Sequence, residues 1–284
     1  MAAVIDVQRA EELLRGVTLP PQPELLIAAE EMLARSDPDP SAVARLVGAD
    51  VALAGAMLRV VNSPLFGLPV KVQGIPHAVM VLGTRQTLNV VRGVALRRAL
   101  DSRVRVPMPR FWDEASQVAL IAAAVARRVT RVPPDEAYTL GLFHDCGIPL
   151  LAQRFPGYKK VLAEANASLQ ERFTDVEERH FQTNHAVVGY FVAQSWYLAK
   201  PLRDAILDHH RVDEVITADT PSGREMETRL AVLAIAEHIE TLARDCPRQQ
   251  EWAAVQPAVA DYLGLSGPDF EDLSADLLES IRSV

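Results

Sequence analysis

Apolar residues recur along this chain at the three- and four-residue spacing of one helix face after another. Strand-like alternation is confined to Val104-Arg105-Val106. Helix starts are marked by side chains able to cap the free amides of a first turn. Ser41, after Asp37-Pro38-Asp39-Pro40, opens residues 42–47; Asp50 opens 51–61; Asn184 precedes a helix beginning at His185. Thr174 with Glu177, and Ser222 with Glu225, fit the reciprocal capping box. Stops fall at Ser63-Pro64, Pro107-Met108-Pro109, Pro133-Pro134 and Pro156-Gly157, because proline lacks an amide donor and clashes with the preceding turn. The pattern therefore predicts an all-α fold with neither a repeat period nor a low-complexity tract. Residues 102–109 make the best internal boundary between an N-terminal helical half and a histidine-bearing half.

Size and composition narrow the class. A chain of 284 residues can bury a sizeable core, and a hydrophobic share of 49% beside a charged share of 23% excludes intrinsic disorder. Asp6 and Arg9 interrupt the N-terminal stretch where a signal peptide needs an apolar run. The longest apolar run, Val118 to Ala126, stops at Arg127-Arg128, well short of the ~18 residues of a membrane span. These features predict a cytoplasmic location with no membrane partner. Cys146 and Cys246 lie far apart and form no CxxC, as expected of reduced thiols. The net charge of -8 works against nucleic acid as the main partner, since that affinity comes from neutralising phosphates. Arg92, Arg97, Arg98, Arg103, Arg105 and Arg110 form a local basic stretch, which reads either as an anion or partner patch or as a solvated helix face.

The candidate chemistry lies in the histidines. His144 sits in Gly141-Leu-Phe-His-Asp-Cys-Gly147, His185 in His-Ala-Val-Val-Gly189, and His209-His210 follow the run from Leu202 to Asp208; His77, His180 and His238 stand outside these settings. Neutral imidazole and carboxylate are the usual ligands of zinc, manganese or iron, and several helices can each contribute one. Asp145, next to His144, is placed to bridge two metals. Gly189, one turn after His185, lets another helix come close.

These segments resemble the HDOD family, a branch of the HD superfamily related to the HD-GYP cyclic-di-GMP phosphodiesterases. Leu19-Pro-Pro-Gln-Pro23 with Asp37 to Ser41 is similar to the family's opening, and Leu58-Arg-Val-Val-Asn-Ser-Pro64 to its Leu-Arg-x-x-Asn-Ser signature. Ile75 to Gly83 is similar to its Ala-x-x-x-Leu-Gly helix, and Phe111-Trp112, the His144-Asp145 segment, 185–196 and 206–210 continue the likeness. The resemblance implies an HD-superfamily-like helical bundle with an additional N-terminal helical half. It divides the chain into an N-terminal helix (1–16), an HDOD-like domain (17–212; helical half 17–105, HD-like half 106–212) and a C-terminal helical extension (213–284) packed on the HD-like half.

It also implies a metal set of His144, Asp145, His185, His209 and His210, with Glu237 at the position of a late aspartate; Asn62 and Ser63 of the signature and Arg92 of the basic stretch are candidate binding residues. Three departures stand against a full hydrolase site. Ala115 and Ser116 occupy the region of an early histidine, Ile148-Pro149 follow Gly147 where a lysine is expected, and no Gly-Tyr-Pro follows His210. The implied function is a non-catalytic bacterial signal-transduction module that binds a signalling protein or a nucleotide. It carries either no cofactor or one divalent transition metal (Fe, Mn or Zn) on Asp145, His185, His209 and His210. The alternative is a metal-dependent phosphohydrolase or phosphodiesterase acting on a nucleotide such as a cyclic dinucleotide; a nucleic-acid binder using the arginines near residue 100 is a third reading.

Overall fold

Where the chain supplies a side-chain cap, the helix begins there. The computed structural model describes residues 19–33, 39–101, 108–130, 132–168, 170–217, 224–244 and 250–282, and all regular structure among them is helical. The N-terminal half holds α1 (Glu24–Leu33), α2 (Pro40–Gly48), α3 (Val51–Val61), a 3-10 turn (Pro64–Phe66) and α4 (Ile75–Asp101). The second half holds α5 (Pro109–Val129), α6 (Pro134–Phe143), α7 (Ile148–Arg154), α8 (Tyr158–Ala167), α9 (Phe173–Phe181), α10 (His185–Ser195) and α11 (Lys200–Asp208). A 3-10 turn (His209–Arg211), α12 (Val212–Thr217), α13 (Arg224–Ala243), α14 (Gln250–Leu263) and α15 (Gly267–Arg282) complete the chain.

Asp50 caps α3 by accepting from the Leu53 amide, and Asn184 caps α10 by accepting from that of Val187. Two expectations need correction. The cap of α2 is Asp39, which accepts from the Ser41 amide, because Pro40 already occupies the first helical position. Thr174 and Glu177 form no capping box: α9 begins at Phe173, so both lie inside it, and Glu177 points into the protein. The predicted helix over 1–16, the strand-like 104–106, the Ser222 cap, Arg103, Arg105 and Cys246 lie outside the described residues.

The apolar run at 118–126 forms the middle of α5, whose buried face is clamped between α6 and α13. Each fully buried aliphatic side chain there contributes about 1.5–3 kcal/mol relative to exposure. Buried side chains from Leu26 in α1 to Leu277 in α15 belong to one hydrophobic cluster, so the two halves share a core. Helix α13 is central, with Leu230, Ala231, Ile235, Ala236 and Ile239 inaccessible to solvent. Helix α15 packs on α13 and also touches the 3-10 turn at 64–66 in the N-terminal half. Among the described residues, no single helix is long and apolar enough to cross a membrane.

Two glycines set the path of the chain. Gly83 has φ 72°, a left-handed conformation that kinks α4 at the end of the stretch resembling the family's Ala-x-x-x-Leu-Gly helix. At Gly147 a Cβ would lie 2.1 Å from the His185 carbonyl oxygen, so only glycine lets the turn after α6 rest on the start of α10. That contact carries Asp145 to His185.

Candidate metal centre

Four side chains from three segments converge on one point: Asp145 from the turn between α6 and α7, His185 from the first turn of α10, and His209 and His210 from the 3-10 turn after α11. His185 Nε2 lies 3.1 Å from Asp145 Oδ1, 3.3 Å from His209 Nε2 and 3.1 Å from His210 Nε2. His209 Nε2 is 3.5 Å from the same Asp145 oxygen.

The outer nitrogens of these rings fix their orientation. His209 Nδ1 donates to the Ile206 carbonyl at 2.7 Å, and His185 Nδ1 donates to Glu177 Oε2 at 2.6 Å. A neutral His185 or His209 held by these bonds would turn its Nε2 lone pair into the same space, as ligands of one cation do; without a cation, a proton on His185 Nε2 faces Asp145 Oδ1. On one ion with metal–nitrogen bonds of about 2.0–2.1 Å, neighbouring ligand nitrogens stand roughly 3.0–3.4 Å apart. The observed separations fit that spacing, and three imidazoles with one carboxylate suit zinc, iron or manganese.

The electrostatics carry the same signature. Burial opposes protonation of His185, but the carboxylates of Glu177 and Asp145 overcome it and push the imidazole up to about 10. His209 is pushed down to about 3 by burial and then by the neighbouring His210. Burial works against ionising Asp145, yet His144 and the other imidazoles hold its carboxyl well below the usual range. His185 thus carries a positive charge beside Asp145, where a bound cation would take the place of its proton.

Behind the ligands stands a group that the sequence reading missed. Glu177 is wholly buried; its carboxylate accepts from the Tyr158 hydroxyl, from the His185 amide at 3.0 Å and from His185 Nδ1. A carboxylate that holds a ligating histidine in this way fixes its tautomer and raises its basicity. One signal was available: Glu177 follows Phe173 by four residues on an otherwise apolar face, where an unpaired charge would be costly. Phe173 also lies parallel to His210, with ring centroids 5.5 Å apart.

The remaining predicted residues divide between this centre and elsewhere. His144 donates from Nδ1 to the Gly141 carbonyl, while its Nε2 faces the other oxygen of Asp145 at 3.3 Å and Glu237 at 3.6 Å. Burial opposes its protonation, but Asp145 and then Glu237 push it up to about 9. Asn62, Ser63 and Arg92 lie away from the cavity beside the centre. The Asn62 amide donates to the Val72 carbonyl and accepts from the Val72 amide, both at 2.7 Å, tying the loop between α3 and α4. Ser63 makes no side-chain cap at its 3-10 turn. Arg92 is engaged by Glu30 and Asn89, Arg97 by Asp101, and Arg98 by Asp50, so these members of the basic stretch face acids. His180 pairs with Glu164 at the surface, and His77 is exposed. Burial pushes the Cys146 thiol up, which leaves it inert as a nucleophile.

The centre opens into a cavity of about 360 Å³, lined also by Ala115 of α5, Arg172 and Phe173 at the start of α9, and residues of α13 and α14. Ala115 offers a methyl group there, and Ser116 donates its hydroxyl to the Trp112 carbonyl. Ile148 and Pro149 are buried apolar residues.

Comparison with known proteins gives a consistent picture. A family profile described as HDOD domain matches residues 19–212. The crystal structure of an HDOD domain protein with unknown function from Geobacter sulfurreducens is 26% identical, with a TM-score of 0.72 over 98% of this chain and 96% of that one. A protein of Marinobacter aquaeolei VT8, provisionally described as a signal transduction protein, is 22% identical with a TM-score of 0.71, over 98% of this chain and 63% of its own; that likeness is one of fold. An uncharacterized protein of Treponema pallidum (strain Nichols) is 26% identical over 195 residues, 68% of this chain. The chain spans about 38% of the length of that curated relative.

Proposed function

The chain belongs to the HDOD domain family, and from that premise we propose that it is a non-catalytic signal-transduction module holding one divalent transition metal on Asp145, His185, His209 and His210. The observation that carries the metal is the convergence of His185 and His209 Nε2 on one oxygen of Asp145, with His210 Nε2 3.1 Å from that of His185 and the Nδ1 atoms of His185 and His209 tied outward. When bound, the ion supplies a Lewis-acidic anchor for an anionic group. Glu177 holds His185 in its ligating tautomer, Ile206 does the same for His209, and Phe173 screens His210 from one side.

A non-catalytic role is supported by what surrounds the cluster. Phosphodiester hydrolysis in two-metal sites clamps both the attacking and the leaving oxygen. The region of the family's early histidine holds Ala115, which has no lone pair to offer, and Ser116, whose hydroxyl is given to the Trp112 carbonyl, and the expected lysine gives way to Ile148-Pro149. His144 and Glu237 remain beside Asp145 but already face each other across 3.6 Å. The signalling role is supported by family membership and by a fold shared with a protein so described.

Elemental analysis of the purified chain tests the reading, with Asp145→Ala and His209→Ala beside the wild type and turnover followed on a cyclic dinucleotide. One ion per chain, lost in both variants, with no turnover in any sample is the expected result. A metal-free, folded wild type removes the metal; turnover that Asp145→Ala abolishes makes the protein a hydrolase.

A further inference from the structure

The metal cluster is one part of the cavity wall, and another comes from α13 and α14, beyond the 19–212 span that the family profile matches. There the rings of His238 and Trp252 lie nearly parallel, 4.5 Å apart at 14°, and both line the cavity. Phe270 of α15 backs them, 5.1 Å from Trp252 and 6.0 Å from His238. Near-parallel aromatic groups at a cavity surface are what a third planar ring stacks against, and such stacking is insensitive to the ring's identity.

The polar groups of the wall agree with a neutral ring rather than a second anion at this place. Arg172 lines the cavity, but Asp213 and Glu214 engage its guanidinium. Glu114 and Glu240 line it as well, each paired with Arg244. The metal cluster is therefore the cavity's electrophilic end. Two polar atoms of lining residues, Asn166 Oδ1 and His238 Nδ1, are buried without a hydrogen-bond partner, as in a site whose polar wall is completed by a ligand.

Resting on the metal reading above for its anionic end, we propose that the cavity binds a single planar heteroaromatic ring bearing an anionic group, of mononucleotide size, with the ring against His238 and Trp252. A volume of about 360 Å³ is near the lower end of the range for small-molecule sites, roughly 300–1,000 Å³, so it holds one ring system and not the two of a cyclic dinucleotide. The ring end is built by α13 to α15, which assigns ligand choice in this chain to its C-terminal helices.

Adenosine 5′-monophosphate and inorganic phosphate, titrated separately into the zinc-loaded full chain by calorimetry and tryptophan fluorescence, test this. Adenosine monophosphate is expected to bind at least about ten-fold more tightly than phosphate, the size of one base–aromatic stack, and to quench fluorescence. Trp252→Leu and His238→Ala each bring its affinity down to near that of phosphate, with zinc content and phosphate binding unchanged. His238 is only half-buried, so its variant carries the test if Trp252→Leu fails to fold. Equal binding of the two probes, or nucleotide binding indifferent to both substitutions, overturns the proposal. Zinc content is read separately: a metal-free chain that still binds the nucleotide through Trp252 refutes the metal and keeps the ring site, and a zinc-loaded chain that prefers phosphate does the reverse.

Discussion

Replacing Glu177 by glutamine removes one buried charge while leaving its shape. The glutamine carbonyl can keep both bonds from His185, and its amide then donates to the Tyr158 oxygen, which turns from donor to acceptor. The fold is therefore expected to survive, while His185 loses the anion that holds it as a ligand. Removing an outer-shell partner of this kind weakens metal binding by about 10- to 100-fold. Zinc at 100 times its wild-type Kd stabilises the wild type by about 2.7 kcal/mol, and the same zinc stabilises the variant by only about 0.4–1.4 kcal/mol. At about 2 °C per kcal/mol for a chain of this size, the zinc-dependent rise in Tm drops from about 5 °C to about 1–3 °C. Scanning calorimetry of metal-free protein with and without zinc measures it, and chelator competition gives the affinities directly. Tyr158→Phe is the control, because it deletes one hydrogen bond and keeps the charge, so its zinc-dependent rise stays near that of the wild type. A folded Glu177→Gln chain with the full wild-type rise would refute the reasoning.

Three further outcomes follow from the geometry. His185 and His144, held up to about 10 and 9, favour the folded metal-free state fully below their ordinary value of about 6.5 and lose that contribution as pH rises through 9 and 10. His209, pushed down to about 3, opposes folding as pH falls below about 6.5. Metal-free Tm is thus expected to peak near neutrality and fall on both sides, and a flat profile from pH 7 to 10 would contradict the assigned charges. Gly147→Ala forces a methyl onto the His185 carbonyl; a loss of about 1–3 kcal/mol in urea unfolding, with reduced metal content, is expected, whereas unchanged values would mean that the two backbones are not in contact. Asn62→Ala removes two bonds to Val72 and is expected to cost about 1–3 kcal/mol with metal content unchanged, a result read from the same unfolding curves.

Local chemistry determined much of this protein without reference to its fold. The caps at Asp50 and Asn184 and the buried run at 118–126 are each decided within a few residues, so the pattern reveals them. The four residues of the candidate metal centre were legible because a His-Asp pair, a lone histidine and a double histidine each stand in a distinctive setting, and the resemblance joined them. Short-range reasoning failed where a residue's partner is far away in sequence or in space. Thr174 and Glu177 have the spacing of a capping box, but a carboxylate that can reach a buried tyrosine and a ligating histidine is held there instead. Asn62 reads as the end of a signature, yet both ends of its amide are taken by a backbone ten residues on. The cavity was invisible for the same reason: its aromatic wall joins α13, α14 and α15 to a candidate cluster at residues 145–210. Local pattern and residue chemistry mark the helical segments and the side chains able to ligate. Only packing selects which carboxylate stands behind His185 and which rings meet at the candidate metal centre, because those choices depend on which helices the shared core presses together.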